Sequence, residues 1–182
     1  ISAAKKIAPL ITPDSLIIIE STCPVGTTET IVSIIKSLSD NKDINIAYCP
    51  ERVIPGKTLI ELVNNDRVIG GFTQKSANMA KDFYKTFCKG KLFLTTSKTA
   101  ELVKLSENAF RDVNIAFANE LSVICDKLDV DVWELIKFSN YHPRVNILNP
   151  GCGVGGHCIA VDPLFIASAL PENTPLIQTA RY

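Results

Sequence analysis

The segment Gly151-Cys152-Gly153-Val154-Gly155-Gly156-His157-Cys158-Ile159-Ala160-Val161-Asp162-Pro163 carries the densest reactive chemistry in the chain. Four of its first six residues are glycine, so no Cβ keeps the backbone away from a ligand, and a thiol follows beside an imidazole. A flexible loop with a buried cysteine has the same composition, because a free thiol packs as a small hydrophobe. What favours chemistry is the rest of the chain. A thiol nucleophile needs partners, and Lys104, Asn108 and the turn Pro50-Glu51-Arg52 supply an amine, an amide and a carboxylate.

Lys104, Asn108 and Arg111 stand at successive offsets of four and three, within a stretch from Lys98 to Lys127 that has neither Gly nor Pro. On a helix this spacing gathers them on one face within two turns. Such a face is either solvated surface or a row of donors for an oxyanion and a phosphate, with a lysine that can move a proton if burial lowers its pKa. Along the same stretch Leu102, Leu105, Ala109, Val113, Ala116, Phe117, Leu121 and Ile124 recur at helical spacing. The predicted helix is about 45 Å long, enough to join two domains or to carry a dimer interface.

The elements upstream must aim the remaining groups. Ile1 to Leu10 reads as the end of a helix, and Leu16-Ile17-Ile18-Ile19 as a fully buried strand of the parallel type. At its carboxyl end stands Glu20-Ser21-Thr22-Cys23-Pro24-Val25-Gly26-Thr27-Thr28, followed by a helix from Glu29 to Leu38. Open parallel sheets bind ligands at this edge, so Thr22 is either a cofactor contact or a plain helix cap. Ile44 to Tyr48 is a second strand, and it leads into Cys49-Pro50-Glu51-Arg52-Val53-Ile54-Pro55-Gly56. That loop is stiffened by its prolines and is either a mount for Glu51 and Arg52 or a turn with solvated charges. A strand at Val68 to Gly71, a helix from Gln74 to Cys88 and a strand at Leu92 to Leu94 continue the alternation, which predicts an α/β fold with a parallel, doubly wound sheet. Shorter helices follow the long one, at Val132 to Phe138, Pro163 to Ala169 and Pro175 to Tyr182.

The totals narrow the class. The chain has 182 residues, 46% of them hydrophobic, with 19 basic and 19 acidic side chains that cancel. That balance leaves no broad electrostatic footprint for nucleic acid or an acidic membrane, though local basic groups suffice for one anionic ligand. No apolar run approaches a membrane span. The six cysteines are irregularly spaced and none pairs in CxxC spacing, so we expect reduced thiols, a cytoplasmic location and no metal.

Ser21-Thr22-Cys23-Pro24-Val25-Gly26-Thr27, Pro50-Glu51-Arg52 with Pro55-Gly56, Lys104-Leu105-Ser106-Glu107-Asn108, and Gly155-Gly156-His157-Cys158 with Asp162-Pro163 occur in the order seen in the UDP-glucose/GDP-mannose dehydrogenase family, which oxidises UDP- and GDP-hexoses to uronic acids. The resemblance covers essentially the whole chain. Within the family, the Glu51 loop, Asn140 to Asn146 and Gly153 to Pro163 look most like the branch acting on UDP-N-acetyl-D-mannosamine. Pro55 stands where UDP-glucose enzymes have a second glutamate, and Val161 where they have a lysine, which argues against the UDP-glucose branch.

The resemblance implies two NAD-dependent oxidations at the sugar C6, with Cys158 as the nucleophile, Lys104 as the acid/base and Asn108 as the oxyanion partner. It makes Glu51 the activator of the hydrolytic water, puts Thr22 near the nicotinamide, and makes Asp162 a support for the cysteine. Arg52, Val53, Lys104, Asn108, Arg111, His142, Arg144 and Gly155 match substrate-contacting positions, and arginines suit a pyrophosphate through bidentate pairing. His157 is ranked with loop packing or thiolate tuning. Alternative substrates are UDP-N-acetylglucosamine, UDP-glucose and GDP-mannose.

No Gly-x-Gly-x-x-Gly opens a strand-helix unit in this chain. The expectation is therefore an internal piece: residues 1–97 as the C-terminal part of a Rossmann-like NAD-binding domain, and 98–182 as a helical central domain. Such a piece is expected to turn over poorly or not at all. A homodimer through the long helix is expected as well, and a non-catalytic dimerisation module is the rival reading.

Overall fold

In the computed structural model, which describes residues 1–39, 41 and 43–181, four strands form one sheet in the order β1 (Leu16–Ile19), β2 (Asn45–Tyr48), β3 (Arg67–Gly71), β4 (Leu92–Thr96). β1 and β2 run parallel, Leu16 opposite Asn45 and Ile19 opposite Tyr48, and β3 and β4 run parallel from Arg67 opposite Leu92 to Gly71 opposite Thr96. β2 and β3 are antiparallel, Ala47 opposite Gly71 and Tyr48 opposite Gly70. The sheet is thus mixed where the strand-helix rhythm predicts uniformly parallel pairing.

The connections explain the difference. β1 reaches β2 through α2 (Thr27–Leu38), which buries Ile31, Val32 and Ile35, and β3 reaches β4 through α4 (Gln74–Lys85), which buries Ala77, Ala80 and Tyr84. Between β2 and β3 lies only α3 (Thr58–Asn64), a helix not predicted from the sequence, and it buries no residue. A helix with no buried face does not carry the chain back across the sheet, so β3 returns beside β2 in the opposite sense.

Period-two alternation sorts the strands between two cores. Ile17 and Ile19 pack with Ile31, Val32, Ile35 and Ile46 and with Ala4 of α1 (Ser2–Ile7), while Leu16 and Ile18 pack with Ala47, Ile69, Ala80 and Tyr84. β2 is buried at every position, whereas β1 is only half-buried along its length. The expectation of a fully buried first strand fails because, among the described residues, β1 stands at the edge of the sheet and pairs with β2 alone.

β4 runs directly into α5 (Ser97–Leu128), a single helix of 32 residues. Its first turns are tied to the sheet unit. Ala100 is buried with Cys23 and Tyr48, and Lys98 Nζ pairs with Glu29 at 3.0 Å. Glu101 is fully buried, and its carboxylate accepts the Gly26 amide at 2.6 Å and both the amide and hydroxyl of Thr28, at 2.8 and 2.6 Å.

The described chain divides into two units, Ile1–Lys104 and Leu105–Tyr182. In the second, α5 ends where Asp129 takes a left-handed φ of 54°, and Asp131 then caps α6 (Val132–Ser139) by accepting the Trp133 and Glu134 amides at 2.8 and 3.3 Å. After the glycine segment come α7 (Asp162–Ala169) and α8 (Pro175–Thr179). α8 stops short of the predicted end at Tyr182, which lies outside the described residues. The apolar pattern of α5 also divides. Of the predicted stripe Leu105 and Ala109 are buried, but Leu102, Phe117 and Ile124 are exposed, so part of the predicted core face is open; Phe110 and Leu128, off that stripe, are exposed as well.

Candidate active site

The glycine segment is the least regular part of the second unit, and its conformation follows from its residue types. Gly153 and Gly156 adopt φ of 111° and 85°, a region that side-chain-bearing residues rarely visit. At its start the Gly151 amide donates to Asn119 Oδ1 of α5 at 2.8 Å. At its end the amides of Val161 and Asp162 donate to the Cys158 carbonyl at 3.0 and 2.8 Å, closing a turn that delivers the chain into α7. Cys158 itself is exposed, as are Cys152, Gly155 and His157, while Cys23, Cys49, Cys88 and Cys125 are buried and all six thiols are free.

Asp162 is 3% exposed, and its carboxylate accepts a hydrogen bond from Asn108 Nδ2 of α5 at 2.6 Å. Asn108 is thereby joined to the residue whose own amide holds the Cys158 carbonyl. The spacing of the long helix suggested Asn108 as a donor, but only the fold shows that this donor is engaged by Asp162. Lys104, half-buried, precedes Asn108 by one turn on the same continuous helix, and Arg111 follows it.

Arg111 lines a cleft of ≈ 480 Å³ together with Arg144, Glu107, Phe110, Asn114 and Asn146. Two guanidinium groups facing one cleft suit a dianionic or pyrophosphate ligand. Arg144 is carried by a loop that Asn140 closes, since the Asn140 side chain accepts the Ile147 amide at 2.7 Å and donates to the Ile147 carbonyl at 3.0 Å. Inside this loop His142 Nδ1 accepts the Arg144 amide at 3.3 Å. His142 is thus engaged in shaping the loop backbone. Asn119 carries no signal in the sequence beyond its composition, and Asn140 stands only as the first residue of the Asn140 to Asn146 segment; an asparagine can close a local turn with both ends of its amide.

In the first unit Thr22 lies half-buried after β1, on the segment that leads into α2. Glu51, also half-buried, follows β2. Its Oε1 accepts the amides of Arg52 and Val53 at 2.6 and 3.1 Å, and its Oε2 stands 3.9 Å from Arg67 Nη1. Arg67 is a residue the sequence did not point to. It is 4% exposed, its guanidinium lies 4.7 Å from the Tyr84 ring centroid, and its Nη2 donates to the Leu62 carbonyl at 3.0 Å. Burial disfavours this cation, but Cys49, Glu51 and Tyr84 more than offset the loss and hold its pKa above the ordinary value. Burial likewise pushes the Cys49 and Cys23 thiols up, so both stay protonated and serve as packing rather than nucleophiles. Arg52 and Val53 are half-buried beside Glu51.

The chain thus carries an α/β unit whose strand ends bear hydroxyl and carboxylate loops, followed by a helical unit with an exposed thiol on a glycine segment. Residues 1–88 match the NAD binding domain, and residues 98–182 the central domain, of the UDP-glucose/GDP-mannose dehydrogenase family, and the chain belongs to that family. It is 56% identical to the UDP-N-acetyl-D-mannosamine dehydrogenase of Campylobacter jejuni, over 98% of this chain and 46% of that protein. It is 55% identical to an NDP-N-acetyl-D-galactosaminuronic acid dehydrogenase of Ralstonia solanacearum, over 99% of this chain and 45% of that protein. Among solved structures, the UDP-D-ManNAc dehydrogenase from Pyrococcus horikoshii superposes with a TM-score of 0.93 at 46% identity, covering 99% of this chain and 44% of that one. The chain therefore spans about half the length of the curated relatives it matches. No helix among the described residues is long and apolar enough to cross a membrane.

Proposed function

We propose that the full-length protein containing this chain is a cytoplasmic, NAD-dependent nucleotide-sugar 6-dehydrogenase that converts UDP-N-acetyl-D-mannosamine to the uronate. The observation that supports it most is the connected set of exposed Cys158, buried Asp162 and half-buried Asn108, with the 2.6 Å Asn108–Asp162 bond at its centre. Residues 1–97 would form part of the cofactor domain and 98–182 the central domain.

NAD, when bound, accepts hydride in each of two steps. The loop bearing Thr22 at the carboxyl end of β1 fits such a cofactor, because open α/β sheets receive dinucleotides at that edge. In the first step Lys104 Nζ takes the C6 hydroxyl proton as hydride leaves carbon, giving the aldehyde. Cys158 Sγ, as thiolate, then adds to the aldehyde carbon, and Asn108 Nδ2 stabilises the oxyanion of the thiohemiacetal. A second hydride loss leaves a thioester. Glu51 then takes a proton from water, which attacks the thioester carbonyl, and Cys158 departs as thiolate. In sum an alcohol, two NAD⁺ and water give a carboxylate, two NADH and three protons.

Asp162, by accepting from Asn108 Nδ2, fixes the face that the amide turns to the oxyanion. Arg111 and Arg144 would hold the pyrophosphate, with Arg52, Val53, His142 and Gly155 completing the sugar and phosphate contacts. Glycine amides without a Cβ in the way suit the closest approach.

The test is NADH production by the full-length protein on UDP-N-acetyl-D-mannosamine, UDP-N-acetylglucosamine, UDP-glucose and GDP-mannose in parallel. The expected result is fastest turnover on the mannosamine substrate, two NADH for each uronate, and none with Cys158→Ala. Faster turnover on UDP-glucose would overturn the substrate assignment, and full turnover by Cys158→Ala would overturn the mechanism.

A second reading concerns assembly. The exposed Phe110, Phe117, Ile124 and Leu128 on α5 favour a homodimer formed through this helix, whether or not the chain is catalytic alone.

A further inference from the structure

We propose that Glu101 is the positioning residue of the cofactor loop, setting the Ser21–Thr28 backbone, and with it Thr22, through the first turns of α5. This rests on the dehydrogenase reading above.

The geometry is specific. Both carboxylate oxygens are engaged: Oε2 by the Gly26 amide at 2.6 Å, and Oε1 by the Thr28 amide at 2.8 Å and the Thr28 hydroxyl at 2.6 Å. Glu101 and Thr28 are both fully buried, so neither water nor a rotated side chain replaces these bonds. A buried carboxylate is tolerable only when hydrogen bonds satisfy it, and this one has three donors.

A helix cap alone does not require this arrangement. α2 begins after Gly26, whose φ is 91° and which has no side chain to cap with. A local serine or aspartate would satisfy the free amides of α2 as well as a remote group does. The carboxylate comes instead from 75 residues downstream, on the helix that one turn later carries Lys104. The loop bearing the proposed nicotinamide contact and the helix bearing the proposed proton-transfer lysine are therefore fastened at one point. Lys98, paired with Glu29 at 3.0 Å, ties the same helix turn to α2 a second time. Burial, together with the Glu101 charge, also keeps the neighbouring Cys23 thiol neutral.

Glu101→Gln is the sharp test, because it keeps the shape but turns an NH₂ toward a backbone N–H that needs an acceptor. In the full-length protein we expect KM for NAD to rise roughly tenfold, with NAD binding measured by calorimetry weakened in parallel and KM for the nucleotide sugar within about twofold of wild type. A merely structural role would lower the melting temperature and leave both KM values alone, and that result overturns the proposal. Should Glu101→Gln fail to fold, Thr28→Val removes one of the three bonds and must shift the same parameter in the same direction by a smaller factor, and an unchanged KM for NAD there overturns it equally. If wild type binds NAD but oxidises no nucleotide sugar, the dehydrogenase reading fails while the calorimetric comparison still decides the role of Glu101.

Discussion

The Glu51 loop of the sheet unit and the Cys158 segment of the helical unit are both irregular, yet they are held in different ways. Glu51 is backed by Arg67, a cation 4% exposed that lies over the Tyr84 ring and donates to the Leu62 carbonyl. The loop therefore rests on a buried, charged foundation. The Cys158 segment is largely exposed and is fastened near its two ends, by Asn119 to Gly151 and by Asn108 to Asp162. The difference suits the two duties proposed above. A group that orients water needs a fixed carboxylate, whereas a nucleophile that meets aldehyde, releases acid and receives new substrate needs an accessible sulfur on a backbone without Cβ obstruction.

The contrast predicts where mutations act. Cys158→Ala in the full-length protein should lower uronate formation about a thousandfold or more while the unfolding midpoint barely moves, since the side chain is exposed. Cys152→Ala, equally exposed, should leave the rate near wild type, and a comparable loss there would erase the distinction between the two thiols. Arg67→Ala should show the opposite profile, a loss of about 2–3 kcal/mol in urea unfolding, because it removes a buried cation from its ring and carbonyl partners. An unchanged unfolding curve would mean that the Glu51 loop has no such foundation.

The smallest effect concerns pH. Burial raises the Cys23 and Cys49 thiols above 9.0, so the folded chain holds these protons more tightly than the unfolded chain does. That contribution is complete below the unfolded value and is lost as pH rises through the folded ones. A melting temperature that falls between neutral pH and about pH 10, with less fall in Cys49→Ala, is the expected outcome.

Much of the sheet unit was legible from its residues because alternation and Gly/Pro punctuation are local signals. The four strands lie where the apolar runs predict them, within one or two residues at their ends. Two features were not legible. The reversal of β3 depends on whether the segment after Pro50 packs on the sheet, and α3 buries nothing. The open stripe on α5 depends on which helices cover it, and helical spacing alone cannot divide Leu105 and Ala109, which are buried, from Phe110 and Phe117, which are not.

The site divides in the same way. Cys158, Lys104, Asn108 and Glu51 were singled out because they stand in motifs that resemble those of the family; residue type and local spacing left each open between chemistry and plain surface or packing. Asn119, Arg67 and Glu101 were not, because amides and charges are common on surfaces and only long-range contacts separate a partner from a solvated side chain.

The amino-acid order by itself determined which reactive groups the chain possesses and the helical or extended segments that carry them, since both follow from side-chain chemistry and from periodicities of a few residues. Only tertiary structure decided that the Asn108 amide meets the Asp162 carboxylate, that Arg111 and Arg144 share one cleft, and that Glu101 meets the amides of Gly26 and Thr28. Those pairings join residues 33 to 75 positions apart, and hydrogen bonds and charge pairs act over only a few ångströms, so nothing short of the folded chain selects them.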